Sequence, residues 1–208
     1  MKMSEELEAL ARQIGKCQLC GLGRSRTNAV PGEGPAPAHI MFIGEAPGYH
    51  EDQQGRPFVG ASGKFLDELL AGMGMRRDQV YIANVIKCRP PQNRDPLPEE
   101  ITACKLYLDQ QIALVKPAVI VTLGRFSMAR YFPDQSISRI HGQAKKIGNT
   151  LYVPMFHPAA ALHQPKYRSL IEEDFARLPG LLAQLHGAEK PKESPPPPEE
   201  KVEQLSLF

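Results

Sequence analysis

The sequence predicts an α/β protein: a central, mainly parallel, four-stranded sheet covered by helices on both faces. Two observations carry this. Four short runs are almost continuously apolar: HIMFI, VYIANV, AVIVTL and LYVPMF. Such continuous runs suit strands buried on both sides, whereas a half-exposed strand would alternate. Amphipathic stretches of helical length separate the runs, and strand–helix alternation favours parallel pairing.

In chain order, residues 4–15 read as a helix, with Ser4 as N-cap. Cys17–Ala38 is rich in Gly and Pro and reads as loop. His39–Ile43 is the first strand, and Gly44 opens the loop GEAPGYHEDQQGRPFVG. Ser62 is expected to cap the next helix, KFLDELLAGMGM. Val80–Val85 is the second strand, and Pro98–Val115 is a helix with proline at its first turn. Ala118–Leu123 is the third strand, followed by a short helix over 125–132. Leu151–Phe156 is the fourth strand, and a last helix covers 167–186. In a parallel sheet the ligand site lies beyond the carboxyl ends of the strands. Three loops leave those ends, carrying GEAPG, the Asn84–Cys88 region and HPAA.

The chain divides into a folded unit, 1–186, and a tail, 187–208. The tail holds PKESPPPPEE, which lacks core-forming residues and is expected to be a disordered, extended tether. The whole chain carries +2, and the tail's five glutamates against three lysines leave +4 on the body. A mildly basic body fits nucleic-acid binding and equally an ordinary solvated surface. No apolar run approaches the roughly 18–20 residues that span a bilayer, so no membrane association is expected. The acidic, helical start does not resemble a secretion signal, and the unpaired thiols point to the cytoplasm.

The chain has four cysteines: Cys17 and Cys20 in a C-x2-C pair, and the distant Cys88 and Cys104. Together they suit one four-thiolate site, holding either an iron–sulfur cluster or a structural zinc. A redox pair and scattered buried thiols are the plainer alternatives, and the spacing does not choose between the two metals.

Several motifs converge on one resemblance. They are GEAPG at 44–48 followed by Glu51 and Asp52, and GRPFVG at 55–60. Ala83-Asn84-Val85 with KCRP at 87–90 follows, then His157-Pro158-Ala159. With the four-cysteine frame, the chain resembles the family 4, iron–sulfur uracil-DNA glycosylases. The resemblance implies a three-layer αβα fold, a 4Fe-4S cluster on the four cysteines, and hydrolysis of the uracil–deoxyribose bond in DNA. The residues fit that chemistry. A base must be extruded into a pocket and read on its Watson–Crick edge. Phe58, in a polar loop expected to be exposed, would stack on it. Asn84, an unusual residue in an apolar strand, would read it. His157 would donate a hydrogen bond to uracil O2 as charge builds there. Glu45 is the candidate for stabilising the sugar cation or orienting water. Ala46 stands where family 1 enzymes carry their aspartate base. Ala46 and Pro47 would line the pocket, and Glu51 would exclude the methyl of thymine. Leu162 is a candidate wedge, with Lys166, Tyr167 and Arg168 near phosphates.

Gln204, Leu205, Ser206, Leu207 and Phe208 resemble the pentapeptide that docks on bacterial sliding clamps. The expected partners are thus uracil-containing DNA and a sliding clamp, with the protein itself a monomer. A glycosylase with a broader range of deaminated bases, and a non-catalytic iron–sulfur DNA-binding protein, remain the alternatives.

Overall fold

The computed structural model describes residues 4–188. Helix α1 (Glu5–Lys16) starts where expected, with the Ser4 hydroxyl accepting from the Leu7 amide at 3.3 Å, and it buries Leu7, Leu10 and Ile14. A turn of helix, α2 (Leu22–Ser25), follows the C-x2-C pair. Strand β1 (Ile40–Gly44) is buried along its whole length.

The loop after β1 contains helix α3 (Tyr49–Gln54), which the glycine-rich sequence concealed. Helix α4 (Ala61–Gly72) is capped by Gly60, so Ser62 lies inside the helix rather than at its cap. Strand β2 (Tyr81–Asn84), helix α5 (Pro98–Val115) and strand β3 (Val119–Leu123) match the expected segments to within two residues at each end. Two short helices, α6 (Arg125–Ala129) and α7 (Ile137–Ile140), precede the far edge of the sheet.

That edge corrects the strand count. Among the described residues the sheet has five strands, in the order β2-β1-β3-β5-β4. β4 (Lys145–Ile147) pairs antiparallel with β5 (Thr150–Met155) around a Gly148–Asn149 turn. β4 is exposed throughout, so it lacks the apolar run that revealed the others. Its two lysines also guard a free sheet edge against further pairing. Pro154 is tolerated in β5 because its pairing with β4 has already ended at Tyr152. Helices α8 (Pro158–His163) and α9 (Lys166–Ala188) complete the described chain.

Side chains alternate across the sheet. Ile40 and Phe42 join α4 and α9 in one core, and Met41 and Ile43 join α1 and α5 in the other. Helices therefore cover both faces, giving three αβα layers. The parallel strands β1, β2, β3 and β5 end at one edge, where their loops meet.

Candidate active site

The loops at that edge enclose a cleft of about 560 Å³, lined among others by Glu45, Ala46, Pro47, Glu51, Phe58, Asn84 and His157. The volume lies within the roughly 300–1,000 Å³ of small-molecule sites. All seven residues expected at the site thus share one cleft, although 112 positions separate Glu45 from His157 in the sequence.

Asn84 ends β2 and is 2 % exposed, and its Oδ1 has no hydrogen-bond partner among the described residues. An orphaned buried carbonyl costs about 1–3 kcal/mol unless a ligand completes it. Gly44 makes room for this amide. A Cβ there would stand 2.4 Å from Asn84 Oδ1 and 2.7 Å from the Phe58 ring.

Phe58 corrects the expectation of exposure: it is 5 % exposed and belongs to the core while lining the cleft. Its backbone is left-handed, at φ 51°, a costly state for a non-glycine residue and one that concentrates at functional sites. Two groups hold it there. Arg77 Nη1 donates to the Phe58 carbonyl at 3.0 Å and Nη2 donates to Pro57. Gly63 allows α4 to pass closely, since a Cβ there would meet the Phe58 carbonyl oxygen at 1.9 Å. The ring lies nearly parallel to His157, with centroids 5.4 Å apart.

His157 caps α8, its Nδ1 accepting from the Ala159 amide at 3.1 Å. That bond leaves the ring proton of the neutral imidazole on Nε2. Burial lowers its pKa to about 4, against the opposing pull of Glu51, so the ring is neutral at pH 7. Glu51 is fully engaged. Oε1 accepts from the amides of Val59 (2.9 Å) and Gly60 (2.8 Å), and Oε2 accepts from Gly48 (3.1 Å). Glu45 is the opposite case. Burial and then the Asp95 carboxylate raise its pKa to about 7, with Arg125 partly opposing.

Asn93, Arg94 and Asp95 also line the cleft, and Asp95 is ion-paired with Arg125, the residue after the β3 turn. These residues were missed because a fourth loop, at Gly124–Arg125, also leaves the strand ends. Its visible signal was the glycine directly after an apolar strand. Leu162 is half exposed, on α8.

A second cluster lies away from the cleft. Cys17, Cys20, Cys88 and Cys104 line one small depression, with a cavity volume of about 10 Å³. Arg26 Nη1 donates to Cys88 Sγ at 2.9 Å. Burial pushes the Cys104 thiol up to about 11 and raises that of Cys88. Among the described residues no set of three or more His, Cys, Asp or Glu is arranged to hold a metal ion.

A sequence model of the uracil DNA glycosylase superfamily matches residues 31–178. A type-4 uracil-DNA glycosylase of Sulfurisphaera tokodaii is 48 % identical over 184 residues, covering 84 % of each chain. The enzyme of the same name from Archaeoglobus fulgidus is 45 % identical, covering 84 % of this chain and 92 % of its own. The Thermotoga maritima one is 42 % identical, covering 83 % and 93 %. The chain belongs to the uracil-DNA glycosylase superfamily, within its type-4 branch. The superfamily match spans every strand of the sheet and all seven cleft residues expected from the sequence. It begins after Cys17 and Cys20, so half of the thiol set lies outside it.

Proposed function

We propose that this protein releases uracil from DNA by hydrolysing its N-glycosidic bond, and so begins repair of deaminated cytosine. The observation that carries the reading is the unpartnered Asn84 Oδ1 in a cleft lined by Phe58 and a neutral His157. A uracil turned into the cleft stacks on Phe58. Asn84 Oδ1 accepts from its N3–H while Nδ2 donates to O4. Cytosine presents the reverse pattern, and each mismatched buried group costs about 1–3 kcal/mol. Glu51, both of whose oxygens are held by backbone amides, is a rigid wall beside the C5 position. Ala46 and Pro47 close the same side.

As the glycosidic bond breaks, negative charge gathers on uracil O2 and positive charge on the sugar. The Nε2–H of His157 donates to the former, an interaction that strengthens only as charge develops. The Glu45 carboxylate faces the latter and orients water. Release of free uracil from a uracil-containing oligonucleotide tests the reading directly. His157→Ala is expected to slow release at saturating DNA by roughly a hundred- to thousand-fold and to leave DNA affinity nearly unchanged. Absence of uracil release by the wild-type protein would overturn the reading.

The four cysteines suit a 4Fe-4S cluster: the donor set is all thiol, it lines one depression, and the Arg26 guanidinium supplies compensating charge at Cys88. Such a cluster would serve as a structural tie between chain segments. No helix among the described residues is long and apolar enough to cross a membrane, and the reading places the protein in the cytoplasm, as a monomer on DNA. The body is 1–186. Gln204–Phe208 lies outside the described residues, and its sequence supports docking on a sliding clamp. Deleting those five residues should abolish clamp pull-down and leave uracil release from short oligonucleotides intact. Undiminished pull-down would show the match to be coincidental.

A further inference from the structure

Tyr49 is the first residue of α3 and follows Gly48, which lines the cleft, yet the residue is 54 % exposed. A singly exposed tyrosine needs no explanation. This one, however, is built into a small assembly. The Arg89 guanidinium lies over the ring, 5.1 Å from its centroid, and the His50 ring stands edge-on at 5.4 Å. Arg89 is itself fixed, since its Nε donates to Asn93 Oδ1 at 2.7 Å. Asn93 lines the cleft and, with Gln92, holds a left-handed backbone at φ 54° and 55°. Two successive non-glycine residues in that region are costly and mark a segment held for a purpose.

Aromatic rings and guanidinium planes are the two protein surfaces on which unpaired bases stack. Here both occur together at the mouth of the cleft, with the cation held in place before any ligand arrives. Placing a base in the cleft brings its strand neighbours to that mouth with one stacking face uncovered. We propose that Tyr49 and Arg89 form a stacking subsite for the nucleobase adjacent, in the same strand, to the extruded uracil. The inference rests on the uracil-releasing function proposed above.

The test is a binding cycle on single-stranded oligonucleotides carrying a non-hydrolysable uracil nucleotide. In one set the flanking bases are intact, and in two others the 5′ or the 3′ neighbour is abasic. Removing one neighbour should weaken wild-type binding by roughly 5- to 100-fold, the usual worth of one base–aromatic stack. Tyr49→Ala should weaken binding to the intact oligonucleotide by the same factor and be indifferent to that abasic substitution. Tyr49→Phe should retain both the affinity and the sensitivity, and Arg89→Gln should show an intermediate loss. Full sensitivity to the abasic neighbour in Tyr49→Ala, or unchanged affinity of that variant, would overturn the subsite. A wild-type protein that binds these oligonucleotides but releases no uracil from a natural one would instead overturn the glycosylase reading.

Discussion

Glu45 and His157 face the same cleft and have pKa values displaced in opposite directions, each by burial disfavouring the charged form. The carboxyl is raised to about 7 and the imidazole lowered to about 4. Between those values His157 is neutral while Glu45 progressively loses its charge as pH falls. If the carboxylate is the working form, kcat/KM should drop by one proton's slope below about pH 7, and His157 should add nothing to that limb. Glu45→Gln should lower the rate by about a hundredfold and flatten the profile between pH 5.5 and 8, within the range expected for loss of one positioned base. A persisting limb near 7 would assign it to another group. The same residue makes a stability statement. A folded pKa above the unfolded value of 4.5 means that the folded state binds the proton more tightly. This contribution is therefore fully present below about 4.5 and lost as pH rises through about 7. Glu45→Gln should raise Tm at pH 8 by roughly 2–4 °C per kcal/mol recovered and leave it unchanged at pH 4.

At the scale of elements, the junction of β2 with α5 rests on a buried lysine. Lys87 is 1 % exposed. Its Nζ donates to the Asn84 carbonyl at 2.7 Å and to Gln111 Oε1 at 2.6 Å. The Gln111 amide donates in turn to the Pro31 carbonyl and the Tyr81 hydroxyl. Lys87→Met conserves much of the volume but leaves two buried acceptors without a donor. The expected cost is roughly 2–5 kcal/mol, read as a lower denaturation midpoint, with kcat falling because Asn84 loses its backbone anchor. An unchanged midpoint would show that water replaces the ammonium.

Elements of this kind also show what could be read from sequence. The four parallel strands were legible because burial on both faces writes itself as an unbroken apolar run. β4 was not, because an exposed edge strand needs polar residues; its signal was the Gly148–Asn149 pair between KKI and TLYV. α3 and α8, each six residues long, are too short for periodicity to declare them. The cleft residues were legible through motifs at strand ends. Arg77 and Asp95 were not, since their roles arise from pairing with Phe58 and Arg125, distant in sequence. Nothing in the KCRP segment marks Lys87 for burial, because its two acceptors are brought to it by the fold.

Across the whole molecule, the strand that carries Asn84 is the least supported by the sheet. β2 is an edge strand of four residues with β1 as its one ladder partner, and a single antiparallel bridge from Glu33 to Ile82 covers its outer side. Four residues beyond Asn84 the chain reaches Cys88, beside Cys104 of α5 and the Cys17–Cys20 loop that ends α1. A group bound by these thiols would fasten three segments to the weak edge, and its binding free energy would count toward folding. Burial raises the pKa values of the Cys88 and Cys104 thiols, so a metal bound there would have to displace their protons. Cys88→Ser should therefore lose the brown colour of an iron–sulfur protein together with several degrees of Tm. Uracil release should fall further still, because the freed segment begins four residues from the base-reading amide. Colour lost at constant Tm would deny the site its structural role, and colourless wild-type protein holding stoichiometric zinc would reassign the metal.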